Sequence, residues 1–253
     1  MLDDVMLFAA VGFLAQLVDG AIGMAYGVTV TSILLSMGTS PAVASASVHA
    51  AEVFTTGTSG YAHWRLGNVD RRLVLRLAIP GAIGGVLGAW LLVGAPVMTV
   101  RVFVSLYLLG LGALILVKAL RPRPAVALPP RQVFALGFVG GVLDAVGGGG
   151  WGPIVTSTLI GRGDAPRIAI GSANLAEFFV TLAVSLAFAS TIGLSAWPTI
   201  AGLVLGGVIA APLAALVTRR MPEQPLMIIV AVVVLLLATR NLIDSVRALL
   251  AAG

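Results

Sequence analysis

The chain of 253 residues has no cysteine, two histidines and 10% charged residues. The missing cysteines exclude disulfides and thiol chemistry, although they leave the compartment open. With so few histidines there is no Cys/His cluster to hold a metal, so no metal site is expected. No P-loop appears, and no GxGxxG opens a soluble helix. ATP drive within the chain is therefore not expected, and no cofactor is expected. Soluble domains carry about 25% charged residues, far more than this chain. The weak alternation of a membrane β-barrel is also missing.

What remains is apolar. Residues of the apolar class make up 59% of the chain, and mean hydropathy is +1.08. Stretches of the length that spans a bilayer as helix recur at about 5–36, 42–62, 73–93, 99–118, 132–161, 167–190, 196–217 and 224–243. The expectation is an all-α polytopic membrane protein. Its net charge of +5 belongs to short loops that orient the chain, not to a nucleic-acid partner. The acidic start, Met1-Leu2-Asp3-Asp4, lacks the basic region of a cleaved signal peptide and reads as a first membrane segment.

The chain also contains itself twice. Residues 12–56 align with 137–181 without a gap, and roughly 17 of about 45 positions are identical. The matches include Asp19/Asp144, Gly23/Gly148, Gly27/Gly152, Pro41/Pro166, Glu52/Glu177 and Thr56/Thr181. Further on, Gly84-Gly85-Val86 matches Gly206-Gly207-Val208 after a shift of three. The expected organisation is one membrane domain over 1–253. Repeat 1 covers about 5–118, a Pro-rich linker about 119–131, and repeat 2 about 132–243. Hydrophobic duplications of this kind mark transporters with a central site between the halves.

The first segment of each half is too long for one span and too short for two. Its middle is broken: Asp19-Gly20-Ala21-Ile22-Gly23-Met24-Ala25-Tyr26-Gly27 in one half, and Asp144 to Pro153 with Gly147, Gly148, Gly149 and Gly150 in the other. Four consecutive glycines cost a helix roughly 1 kcal/mol each, and Pro153 suits the first turn of a new helix. Each segment is thus two arms around a non-helical tip. It either crosses as a broken helix, giving eight crossings and parallel repeats, or turns back as a re-entrant hairpin, giving six crossings and inverted repeats. The hairpin places 12 of the 15 basic residues inside, leaving Arg101, Arg240 and Arg247 outside, against 10 of 15 for eight spans. The positive-inside rule favours the hairpin.

The glycine-rich break ending in Tyr26-Gly27 or Trp151-Gly152-Pro153 is followed by a polar helix. That helix reads Ser45-Ala46-Ser47-Val48-His49-Ala50-Ala51-Glu52 in one half and Gly171-Ser172-Ala173-Asn174-Leu175-Ala176-Glu177 in the other. The pattern resembles the TauE/SafE sulfite-exporter family over essentially the whole chain. The resemblance implies a permease or exporter of small anions, such as sulfite, sulfonates including sulfoacetate, or small organic acids, in the bacterial inner membrane. Repeat 1 departs from it, with Ile22, Met24 and Ala25 where repeat 2 has glycines.

Ionisable groups at membrane depth cost about 2.5–3.5 kcal/mol on insertion scales, which makes Asp19, Asp144, Glu52 and Glu177 functional suspects. The two aspartates stand where a carboxylate could cap the second arm or serve as a proton or cation site. Glu52 and Glu177 have His49 and Asn174 one turn earlier on the same face. Coupling or gating is assigned to Asp19, His49, Glu52, Asp144 and Glu177, with a buried polar network as the alternative. For His49 alone the structural role is preferred, because Asn174 cannot titrate. Substrate binding is assigned to Gly23, Tyr26, Gly27, Ser47, Gly147, Gly148, Gly149, Gly150, Trp151, Ser172 and Asn174. Glycines let N–H groups approach an anion at a helix start. Thr31/Thr156 are further matched hydroxyls, and no Lys or Arg stands in the central segments. The expected partners are a small anion, the bilayer, a proton as coupling ion and a second copy in a homodimer, with no nucleic acid.

Two enzyme readings compete weakly. Gly57-Thr58-Ser59-Gly60 has the form of a rhomboid-type nucleophile motif, but His49 and His63 are the only bases and lie on its own segment or flank. Asp19 and Asp144 could share a proton as in an aspartyl protease, though each sits better as a cap. A non-transporting scaffold has no need of midplane breaks.

Overall fold

A computed structural model describes residues 2–121, 129–161, 166–217 and 223–251. Arg123, Arg162, Arg219 and Arg220, all counted among the inside charges, and most of the 119–131 linker lie outside the described residues. Every regular element among the described residues is helical. The first half comprises α1 (Leu2–Ile22), α2 (Tyr26–Ser36), α3 (Pro41–Arg65), α4 (Arg71–Gly94) and α5 (Val97–Leu120). The second comprises α6 (Pro130–Gly147), a π-helical turn (Gly152–Thr156) running into α7 (Ser157–Gly161), then α8 (Pro166–Thr191), α9 (Trp197–Val217) and α10 (Glu223–Ala251). Among the described residues four helical stretches are long and apolar enough to cross a membrane: Arg71–Gly94, Val97–Leu120, Arg167–Thr191 and Met227–Leu250.

Local chemistry sets these boundaries. Pro41 opens α3 behind Ser40, whose hydroxyl accepts from the Val43 amide at 3.4 Å. The Asp70 carboxylate caps α4 by accepting from Arg72 and Leu73 N–H at 2.8 and 3.3 Å. Helices α1 and α6 both stop at a glycine with φ of 67°, Gly23 and Gly148. This is the left-handed turn that side chains resist. The break is narrower than the sequence suggests. Asp19 and Gly20 still belong to α1, and the non-helical stretches are Gly23–Ala25 and Gly148–Gly150.

Packing crosses between the halves. Helix α1 lies mainly on α9, and α6 mainly on α4. Glycine makes both contacts intimate: a Cβ on Gly12 would sit 2.6 Å from the Leu203 carbonyl oxygen, and one on Gly137 2.7 Å from that of Leu77. Small residues allow such backbone approach where lipid provides no hydrophobic drive between helices. These contacts correct the sequence match of Gly84-Gly85 with Gly206-Gly207. Leu77 plays the part of Leu203, and Gly81, packed against Trp151, plays the part of Gly207, packed near Tyr26. Identical glycines draw a sequence alignment, whereas the aromatic each glycine receives fixes the structural register.

Helix α3 runs antiparallel to α8: Gly57 meets Phe178, Gly60 meets Leu175, and His63 meets Gly171. Helix α5 runs antiparallel to α10. Gly112 lies on Leu235, while Arg101 and Ser105 share a small cavity with Asn241 and Ser245. The Arg101 guanidinium donates to the Gly38 and Thr39 carbonyls at 2.6 and 3.1 Å. That ties the end of α2 to the start of α5.

Candidate functional site

The two breaks meet. A Cβ on Gly27 would lie 2.7 Å from the Gly149 Cα, and one on Gly152 would lie 2.6 Å from the Gly23 carbonyl oxygen. Thr31 of α2 donates its hydroxyl to the Gly148 carbonyl across the contact. Only glycine backbones can cross this closely, and each tip thereby forms part of the other's wall.

Both aspartates cap. Asp19 Oδ1 accepts from Ala25 and Tyr26 N–H at 2.7 and 3.1 Å. Asp144 Oδ1 accepts from Gly150 and Trp151 N–H at 2.7 and 3.0 Å. The Gly148 and Gly149 amides bond the Asp144 carbonyl at 2.8 and 3.2 Å. These bonds revise what the glycines do. The N–H groups read as anion donors are already engaged, Gly148 and Gly149 by the Asp144 carbonyl and Gly150 by its carboxylate, so an incoming anion must compete with Asp144.

A cavity of about 20 Å³ sits between the tips, room for about one water on that measure. Its wall includes Asp19, Tyr26, Gly27, Glu52, Asp144, Gly149, Gly150, Trp151 and Glu177 from the sequence assignment. Sequence reasoning missed Met24, Val28, Thr55, Thr56, Gly152 and Pro153, which also line it. Repeat identity pointed to two of these, Gly152 and Thr56. Gly23, Ser47, His49, Gly147, Gly148, Ser172 and Asn174 do not line the cavity. Ser47 donates back to the Val43 carbonyl at 2.8 Å, and Ser172 accepts from the Asp70 amide at 2.9 Å. Asn174 donates to Ser59 at 2.8 Å. Gly147 and Gly148 are spent on packing against Tyr107 and Thr31.

Four carboxylates therefore surround a space of molecular size, and no Lys or Arg lines it. Glu52 is 3% exposed, and its Oε2 is buried without a hydrogen-bond partner. His49 and Asp144, at 0% and 1% exposure, face each other just behind the wall, Nε2 to Oδ2, at 3.2 Å. Trp151 is fully buried and donates its indole N–H to the Ala173 carbonyl at 3.2 Å. Its counterpart Tyr26 donates to the Leu203 carbonyl at the same distance. The Ser59 hydroxyl accepts from the Asn174 amide, which is not the base partner that the nucleophile motif requires.

Broken helices meeting at a polar centre are how many secondary transporters build their site. The profile of the sulfite exporter TauE/SafE family matches residues 8–241, and the chain belongs to that family. It is 42% identical over 248 residues to "Probable membrane transporter protein YtnM" of Bacillus subtilis (strain 168), covering 94% of this chain and 83% of that protein. No solved structure matches the chain. The protein is a multi-pass membrane transporter and not an enzyme.

Proposed function

We propose that this protein is a secondary transporter of small anions across the bacterial inner membrane, the candidates being sulfite, sulfonates including sulfoacetate, and small organic acids. The observation that carries the proposal is the meeting of two glycine tips around one small polar cavity. Family membership and the resemblance to YtnM support the transport class. The substrate binds between the tips, where it takes over N–H groups now held by Asp19 and Asp144. The two repeats are inverted and each begins with a re-entrant hairpin. Support comes from the antiparallel pairing of α3 with α8 and of α5 with α10, which relates the halves by an axis across the helices.

A carboxylate-lined cavity repels an anion unless positive charge enters with it. The coupling ion is therefore a proton, with Glu52 and Glu177 on the cavity wall as its acceptors. The test is flux in proteoliposomes with a panel of small anions, with and without a pH gradient. Uptake of at least one sulfur oxyanion or organic acid, accelerated by the gradient, is expected. Absence of flux across the whole panel overturns the proposal. Accessibility labelling of cysteines introduced at positions 2, 125 and 250 tests the topology. Both ends should react from outside and position 125 from inside, and two inside ends would restore eight crossings.

A further inference from the structure

The contact between His49 and Asp144 demands a proton that no other group can supply. His49 Nδ1 lies 2.8 Å from the Ser45 carbonyl, which can only accept. The Ser45 hydroxyl is also near, at 3.3 Å, but its own hydrogen goes to the Ala145 carbonyl at 2.6 Å. Nδ1 therefore carries a hydrogen. A neutral imidazole has one N–H, so Nε2 would then present a lone pair. It faces Asp144 Oδ2 at 3.2 Å, and an ionised carboxylate offers only lone pairs as well. Two acceptors do not sit at that distance in a dry interior, where an unpaired charge is expensive. One additional proton must lie between them, whether nearer the nitrogen or the oxygen.

We infer that this proton, lodged between His49 Nε2 and Asp144 Oδ2, is the one that controls the second tip. The inference rests on the transporter reading for its role in coupling, while the proton's existence rests on hydrogen-bond geometry. Asp144 reaches in two directions. Its Oδ2 meets His49, and its Oδ1 holds the Gly150 and Trp151 amides. With the proton present both oxygens are satisfied and the tip is held against Gly27. When the proton leaves, the carboxylate is driven from the imidazole lone pair. Relief comes by rotation of the Asp144 side chain, which releases the two amides. Proton loss and release of the second tip are then one event, separate from uptake of the proton that enters with the anion at Glu52 or Glu177.

The surroundings offer no substitute. Glu52 from α3, Glu177 from α8, Asp19 from α1 and Tyr26 from α2 face Asp144 around the cavity. Tyr107 from α5 lies over Gly149, its hydroxyl 3.5 Å from that carbonyl. None is a cation. The first tip lacks the device, because Asn174, the counterpart of His49, bonds Ser59, and the Asp19 carboxylate accepts from the Ala25 and Tyr26 amides.

The chain suits a direct test, because it has four tryptophans and two histidines. Replacing Trp64, Trp90 and Trp197 by Phe and His63 by Gln leaves Trp151 and His49 as lone reporters. In lipid nanodiscs, Trp151 emission is followed from about pH 4 to about pH 10, spanning the ordinary carboxylate and imidazole ranges, and ¹⁵N-histidine NMR is recorded alongside. A one-proton shift of Trp151 emission is expected, with Nδ1 protonated throughout. Asp144→Asn puts a fixed N–H where the proton sits and should abolish the shift. His49→Gln should abolish it too, which covers the case of a poorly folding Asp144 variant. Asp19→Asn should leave the shift in place. In proteoliposomes the ratio of gradient-driven flux to exchange should fall about tenfold in Asp144→Asn and His49→Gln, an ordinary coupling energy. No shift in the parent, or a shift that survives Asp144→Asn, overturns the inference. A normal Trp151 shift in a protein that moves no anion upholds the proton site and overturns the transporter reading instead.

Discussion

The two helix breaks descend from one sequence and do the same job differently. Each ends its first arm at a glycine with φ of 67° and caps its second arm with a matched aspartate. Asp19 is half-buried and Asp144 is sealed. Thr31 bonds across to the second tip, whereas the hydroxyl of Thr156, its counterpart, is buried without a partner. A repeat thus conserves the backbone solution to a helix break while leaving the surrounding side chains free to diverge. The glycine-rich tip is the one surrounded by His49, Tyr107 and Thr31, which take up the room its missing side chains leave. The tip with Met24 and Ala25 fills its own space.

The largest effect expected from this asymmetry is at Gly149. Its φ of 152° disfavours a side chain, and a Cβ would run into the Gly27–Val28 backbone. Gly149→Val should cost more than about 3 kcal/mol of overpacking and strain and remove transport. Loss of monodispersity on size-exclusion chromatography separates this cause from mere blockage of an anion. A well-folded, inactive Gly149→Val would show that the tip has slack and that the amide itself is what the anion needs.

The aspartates come next. Asp144→Ala strips a buried cap and its histidine partner together and should lower stability by about 3–5 kcal/mol. Asp19→Ala removes a more accessible cap and should cost about 1 kcal/mol. Thermal unfolding in a single detergent compares them, and equal losses would abolish the distinction between the tips.

The threonines sharpen the same comparison. Thr31→Val loses a buried hydrogen bond worth about 1 kcal/mol and orphans the Gly148 carbonyl. Thr156→Val removes a hydroxyl that bonds nothing and should be neutral or slightly stabilising. A destabilising Thr156→Val would mean its hydroxyl has a partner in the working cycle, which competition by the transported anion would reveal. Smallest is the pair of matched serines. Ser172→Ala should cost a few tenths to about 1 kcal/mol by freeing the Asp70 amide, and Ser47→Ala next to nothing, since Ser47 only bonds its own helix.

Much of this was legible in the chain. Apolar run length marks eight segments, and the helices occupy them with small shifts at the ends, except that α10 runs on to Ala251. Gly23 and Gly148 announced the breaks because no other residue tolerates their φ cheaply. Asp19 and Asp144 announced the caps because a new helix start needs acceptors for its amides. Ser47, Ser172 and Asn174 lie away from the cavity wall for a definite reason. A small polar side chain on a membrane helix has several partners within reach, and periodicity does not say which it takes. The pairing of His49 with Asp144 is invisible to repeat matching, which looks for sameness, because the counterpart of His49 is Asn174. The register of α4 against α9 went astray for a similar reason.

The sequence by itself determined that the chain lives in a membrane, is helical, is duplicated and is broken twice. Those properties follow from composition, spacing and the backbone chemistry of glycine and proline, which act locally. Only the tertiary structure decided that the two breaks touch, that the tetraglycine amides are already spoken for, and that His49 finds Asp144 across 95 positions of sequence. These depend on which helix lies against which. In a lipid setting that choice is made by close backbone packing and by hydrogen bonds between side chains far apart in sequence, neither of which leaves a periodic trace along the chain.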